Sequence, residues 1–154
     1  MPPRFRFRLD PVLGLRERTE RERASEHARV LAEQLTEEQR RDSLIARRDD
    51  LRMQLMRDHN RWDADTLRMT YAHLAYLDRA IVEAHERVAA AAARTEEARL
   101  RLVAAAKDRK VLETLKDRRK EAFLEEVALY EQRELDDQNA RSYDRAHPLE
   151  GLPS

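Results

Sequence analysis

The apolar positions of this chain fall into columns spaced seven residues apart. After residue 65 one column runs through Leu67, Leu74, Ile81, Val88, Thr95 and Leu102, and a second through Leu77, Ala84, Ala91, Ala98, Ala105 and Leu112. Two such columns, sustained over several heptads, are the pattern of a coiled-coil seam. The alanines of the second column predict a partner helix at close range, because the distance between helix axes follows the side chains at the contact. Before residue 58 the pattern is less regular. Ala24, Ala28, Leu31 and Leu35 are followed by a polar stretch over 36–43 and then by Leu44, Leu51 and Leu55. The shift of register reads as a stutter within one helix rather than as a break.

The segment Asp58-His59-Asn60-Arg61-Trp62-Asp63-Ala64-Asp65 is the candidate reversal. Asn60 suits a left-handed helix-ending conformation, and Asp63 or Asp65 suits the cap of a new helix. At the other end, Asp10-Pro11 marks a helix start, since aspartate accepts orphan amide hydrogens and proline fits the first helical position. Upstream of it Phe5, Phe7 and Leu9 alternate with Arg4, Arg6 and Arg8, the period-two pattern of an extended arm.

These signals predict an all-α chain: an elongated antiparallel two-helix coiled-coil hairpin over 1–147 whose longer second helix overhangs the first. Helix one is expected over about 11–58, the turn over 59–65 and helix two over 66–143. Pro148, Gly151 and Pro153 make 148–154 an expected disordered tail. With the turn centred near Trp62, residue 11 faces roughly residue 113, and Thr114 onward has no partner within the chain. An overhang of that kind spans about 45 Å and is marginal in water unless something covers it. Leu115, Ala122, Phe123, Leu129 and Tyr130 recur on it at helical spacing, which predicts a docking device.

Composition sharpens the picture. No Gly or Pro occurs over residues 15–147, 40% of residues are charged and only 5% are aromatic, so long helices rather than a globular core are expected. Charge is balanced at 31 basic and 31 acidic residues, unlike a nucleic-acid binder. The basic cluster Lys107, Arg109, Lys110, Lys116, Arg118, Arg119 and Lys120 is interrupted by Asp108, Glu113 and Asp117 and reads as a mixed solvated face. No cysteine is present, the longest apolar run is residues 88–93, and the first nine residues lack the apolar stretch of a secretory signal; a cytoplasmic protein with no membrane span is expected.

Candidate chemistry is sparse. A segment without glycine holds no phosphate-binding loop. The histidines His27, His59, His73, His85 and His147 form no His-x-x-x-His pair, and the carboxylate pairs have nothing to desolvate them. No enzyme activity, cofactor or metal is expected. Trp62, Tyr71 and Tyr76 near the turn read equally as a recognition patch or as plugs closing the end of the hairpin.

Two stretches carry a resemblance. The opening Phe5-Arg6-Phe7-Arg8-Leu9-Asp10-Pro11-Val12-Leu13-Gly14-Leu15-Arg16-Glu17 resembles the amino terminus of the FliJ family of the bacterial flagellar type III export apparatus. Leu112-Glu113-Thr114-Leu115-Lys116-Asp117-Arg118-Arg119-Lys120, followed by Glu131-Gln132-Arg133-Glu134-Leu135-Asp136-Asp137, is similar to a signature of the same family, and Tyr76-Leu77-Asp78-Arg79-Ala80-Ile81 resembles its run after the turn.

The resemblance implies a non-catalytic stalk, similar to the central stalk helices of rotary ATPases. Its ends would sit in the ring of the hexameric export ATPase FliI, promoting assembly and hydrolysis, while another part reaches the export-gate protein FlhA and handles export chaperones. It would be cytoplasmic, peripheral to the inner face of the membrane through the gate complex. By position, Phe5, Phe7, Leu9, Leu13, Leu112, Leu115, Arg118, Arg119, Phe123 and Gln132 would face the ATPase ring. Leu44, Leu51, Trp62, His73, Tyr76, Leu77 and Ala80 would face the gate. Injectisome stalks of the YscO type share the architecture and stand as one alternative. A generic homodimeric coiled-coil scaffold is another, but the column through Arg109, Lys116 and Asp137, interrupted by Phe123 and Tyr130, suits a heteromeric socket with polar walls better than a homotypic zipper.

Overall fold

The computed structural model describes residues 3–148. Two long helices account for nearly all of them: α1, Asp10–Asp58, and α2, Ala64–Ala146, joined by one turn of 3-10 helix at His59–Arg61. The described residues contain no strand. The chain is all-α, with the two helices packed against each other. Of the tail expected over 148–154, residues 149–154 lie outside the described residues. The chain divides into two compact units, one of Arg16–Lys107 and one that joins Met1–Leu15 to Asp108–Ser154.

The unit of residues 16–107 is an antiparallel hairpin. Its reversal uses no left-handed residue, since no described residue has a positive φ, and Asn60 therefore does not play the helix-ending role expected of it. The chain instead tightens into the 3-10 turn, and Trp62 leaves it in extended conformation at φ −94° and ψ 144°. Asp63 then opens α2: its carboxylate accepts the amide hydrogen of Thr66 at 2.9 Å, and its carbonyl accepts that of Leu67 at 3.0 Å. Hydrogen bonding to Thr66, side chain first and backbone second, holds the Asp63 carboxyl below the ordinary carboxylate range.

Along the seam Leu74, Leu77, Ile81, Ala84, Ala91, Ala98 and Ala105 are buried, and Val30 meets them from α1. The alanines let the helices close in. Thr95 Oγ1, which donates to Ala91 O in its own helix at 3.0 Å, also reaches Val30 O of the facing helix at 3.3 Å. A hydroxyl touching the partner's backbone requires an approach that larger residues would prevent. Opposite the alanine-rich stretch the polar gap of α1 is not filled by apolar residues. Glu37, Glu38 and Arg41 are half-buried there, as long charged side chains can be when their aliphatic stems cover apolar surface. Nearer the turn, Arg48 and Arg52 both reach Asp78 across the seam, at 3.9 and 3.4 Å.

The second unit is built by the amino-terminal arm. Phe7 O accepts the Asp10 amide at 3.1 Å and Leu9 O that of Leu13 at 2.8 Å, which turns the arm into α1. Phe7 and Leu13 are buried, each 5% exposed, whereas Arg4, Arg6 and Arg8 are exposed, so the period-two alternation is realised as one inward and one outward face. Phe5 packs on Phe123 with ring centroids 5.7 Å apart, and the Lys116 ammonium meets the Asp10 carboxylate at 2.8 Å. The arm therefore covers α2 beyond the point where α1 begins. The overhang expected from Thr114 starts later: Leu112, Leu115, Phe123 and Val127 are half-buried, and every described residue from Ala128 on is exposed. The reason is geometric. An extended chain advances about 3.3 Å per residue against 1.5 Å in a helix, so the seven arm residues before Asp10 reach about as far as 15 helical residues.

Candidate functional site

Two surfaces gather the side chains expected to act, one in each unit. In the arm-containing unit, Phe5, Phe7, Leu9, Leu13, Leu112, Leu115 and Phe123 all belong to the packed contact between arm, first turns of α1 and α2, where each is buried or half-buried. They are first of all the internal glue of the unit. Arg118, Arg119 and Gln132 are exposed on α2. The apolar and polar halves of the expected ring-facing set thus stand in different situations: one shapes the surface, the other is presented on it.

Pro3, Phe123, Glu126, Val127, Tyr130, Glu131 and Glu134 line a cleft of about 580 Å³. Its lining joins the apolar Pro3, Phe123 and Val127 to the acidic Glu126, Glu131 and Glu134. The Tyr130 hydroxyl donates to Glu134 at 2.9 Å, and that hydrogen bond raises the phenol above its ordinary value. Beyond it Leu129, Leu135 and Tyr143 are each more than half exposed. This cleft was not legible in the sequence, because it depends on Pro3 and Phe123, far apart in the chain, coming together.

In the hairpin unit, Leu44, Tyr76 and Ala80 come together around a groove of about 250 Å³ with Arg79, Glu83 and Arg87. His73 stacks on Tyr76, ring centroids 6.1 Å apart and planes 12° from parallel. Leu51 and Trp62 are half-buried. Leu77, placed among these by position, is 2% exposed and sits in the seam. Its side chain supports the surface from beneath. Tyr76 and Tyr71 are 57% and 60% exposed, so these two rings are not buried plugs at the end of the hairpin.

A second groove adjoins Leu44. Thr36, Gln39, Arg40, Ser43, Leu44, Arg47 and Arg87 line about 460 Å³, and no carboxylate is among them. The hairpin is otherwise laced with opposite charges. Around Val30 and Ala98 a third groove alternates Glu26, Arg29, Glu33, Arg94, Glu97 and Arg101. The Arg29 guanidinium hydrogen-bonds Glu26 and holds that carboxyl below its ordinary range, as Arg99 does for Glu96. Among the described residues no three metal-ligating side chains converge, and no helix is long and apolar enough to cross a membrane.

A family model described as Flagellar FliJ protein matches residues 5–147, from the first aromatic of the arm to the residue after α2. The chain belongs to the FliJ family. No curated protein and no solved structure matches it. As a FliJ-family member it is a coiled-coil component of flagellum biogenesis through type III protein export, a family whose role is structural rather than catalytic. The match begins at Phe5 and therefore takes in the arm as well as both helices of this FliJ-family chain.

Proposed function

We propose that this protein is the stalk of the flagellar export machine, with the arm-containing unit inserted in the ring of the FliI-type ATPase. There it promotes ring assembly and hydrolysis, and the hairpin unit couples the ring to the FlhA-type gate and to export chaperones. The observation that carries the reading is the composition of the arm-containing unit, in which the arm and the carboxy-terminal half of α2 form one compact body. That body ends in a stretch of helix, Ala128 to Ala146, exposed along its whole described length and carrying Leu129, Tyr130, Leu135 and Tyr143. A helix left bare in water gains most of its stability when a partner covers it. The mechanism is allosteric: a helical end that binds one state of the ring subunits better than another shifts their equilibrium, and hydrolysis quickens without this chain touching nucleotide.

The test is the hydrolysis rate of the purified export ATPase with and without the protein, with light scattering to follow assembly. Stimulation and larger assemblies are expected with the full chain. A chain ended at Tyr130 is expected to lose both while the hairpin unit melts at the same temperature. Full stimulation by the shortened chain would overturn the insertion of this end.

A further inference from the structure

The groove beside Leu44 departs from the electrostatic rule the rest of the hairpin follows. Flanking positions of paired helices normally carry opposite charges, which fix partner and register. On one flank this hairpin obeys, with Arg48 and Arg52 of α1 converging on Asp78 of α2. In the groove it does the reverse: Arg40 and Arg47 come from α1 and Arg87 from α2, and the remaining lining is hydroxyl, amide and leucine. Among the described residues, Arg40 and Arg87 pair with carboxylates only within their own helices, Glu37 at 3.2 Å and Glu83 at 3.6 Å. Exposed pairs of that spacing contribute little and are readily exchanged for a better acceptor. Among the described residues no ion pair engages Arg47, and none joins the two helices across this groove. Like charges brought together from two helices work against the pairing and are offset when an anionic group lies between them.

From this we infer that the groove docks an acidic helical segment of a partner protein, its carboxylates taken by Arg47, Arg40 and Arg87 and its apolar face laid on Leu44. Arginine forks suit carboxylates bidentately. A protein segment fits better than a nucleic acid or a lipid surface. Glu37, Glu38, Asp42, Glu83 and Glu86 lie within a few residues of the arginines in sequence, so there is no unbroken basic surface of the kind an extended phosphate lattice needs, only a local cluster of three guanidiniums on the scale of a few carboxylates. The inference deepens the gate assignment and rests on it only in part, because Leu44 is shared between this groove and the one formed with Tyr76 and Ala80.

The experiment follows the fluorescence anisotropy of a labelled helical peptide of Leu-Glu-Glu-Ala repeats, and of its Leu-Lys-Lys-Ala counterpart, against the full-length protein. The glutamate peptide is expected to bind in a salt-sensitive manner and to lose about tenfold in affinity with Arg47→Glu and Arg87→Glu combined, while the lysine peptide gains on that variant. Both sites are exposed, so far-ultraviolet circular dichroism should be unchanged. Glutamate-peptide binding that survives the charge reversal, or an equal loss with no gain for the lysine peptide, overturns the groove. Tighter binding of single-stranded RNA, or of vesicles of equal parts phosphatidylcholine and phosphatidylglycerol, overturns the choice of a protein. Binding to the purified cytoplasmic domain of the gate is measured in parallel. Its loss with the same variant ties the groove to the gate, whereas retained gate binding beside lost peptide binding leaves the groove standing and removes the gate as its partner.

Discussion

At Asp63 one carboxylate caps an entire helix, and the consequences reach its titration. The depressed value in the folded chain means that the ionised cap stabilises the fold. That contribution is fully present above the ordinary carboxylate range and fades as pH falls below about 4, through the folded value. Thr66 supplies the largest cause, so Thr66→Val should move the Asp63 carboxyl back up toward its ordinary value while the backbone hydrogen bond of 2.9 Å remains. Carbon-detected NMR titration of the aspartate carboxyls reads this directly; an unchanged Asp63 value in the variant would remove the Thr66 hydroxyl as the cause. Residues also mark the limit of what sequence position reveals. Asp63 was recognisable as one of two cap candidates from its place before an apolar column. Leu77 belonged by periodicity to the alanine-rich column and by resemblance to the gate-facing set, and it lies in the seam, 2% exposed, while its neighbour Tyr76 is 57% exposed, because successive helical positions differ by about 100°.

At the scale of elements, the alanine column decides how the helices meet. Ala84, Ala91 and Ala98 are 2%, 1% and 5% exposed, and Thr95 touches the facing backbone between the last two. A leucine at position 91 has no room without forcing the axes apart, and the separation would break the Thr95 contact to Val30. Ala91→Leu is therefore expected to destabilise the hairpin by about 1–3 kcal/mol in denaturant unfolding, as overpacking does, despite adding apolar surface. A stabilised variant would mean that the helices yield freely at this point. The helices were legible in the sequence because their signals are local: heptad columns, a run free of glycine and proline, and the Asp63 cap at the start of α2, whereas the Asp10 carboxylate, expected to cap α1, pairs instead with Lys116. The arm was legible as extended, but its reach was not. How far seven residues of extended chain travel along a helix is set by the two rise values and by Phe5 finding Phe123, a contact between residues far apart in sequence. The cleft around Tyr130 and the arginine groove were hidden for the same reason, since each depends on residues that only folding brings together.

At the scale of the whole molecule, the chain divides into two compact units, and a substitution confined to one of them tests its proposed role. Phe7 is 5% exposed and anchors the arm on α2, so Phe7→Ala removes a buried ring from the arm-containing unit alone. Truncations of buried aromatics cost about 3–5 kcal/mol, more than a short arm is able to lose and stay docked. Hydrogen exchange should then quicken over 108–127, where Leu112, Leu115 and Phe123 become bare, and remain slow at Leu77, Ile81 and Ala84 in the hairpin unit. In a ring assay the same variant should stimulate the export ATPase weakly, while its binding to the gate domain stays at the level of the unaltered chain. If gate binding fell in step with stimulation, the division of labour between the units would be wrong, and the coupling would have to run through the arm itself.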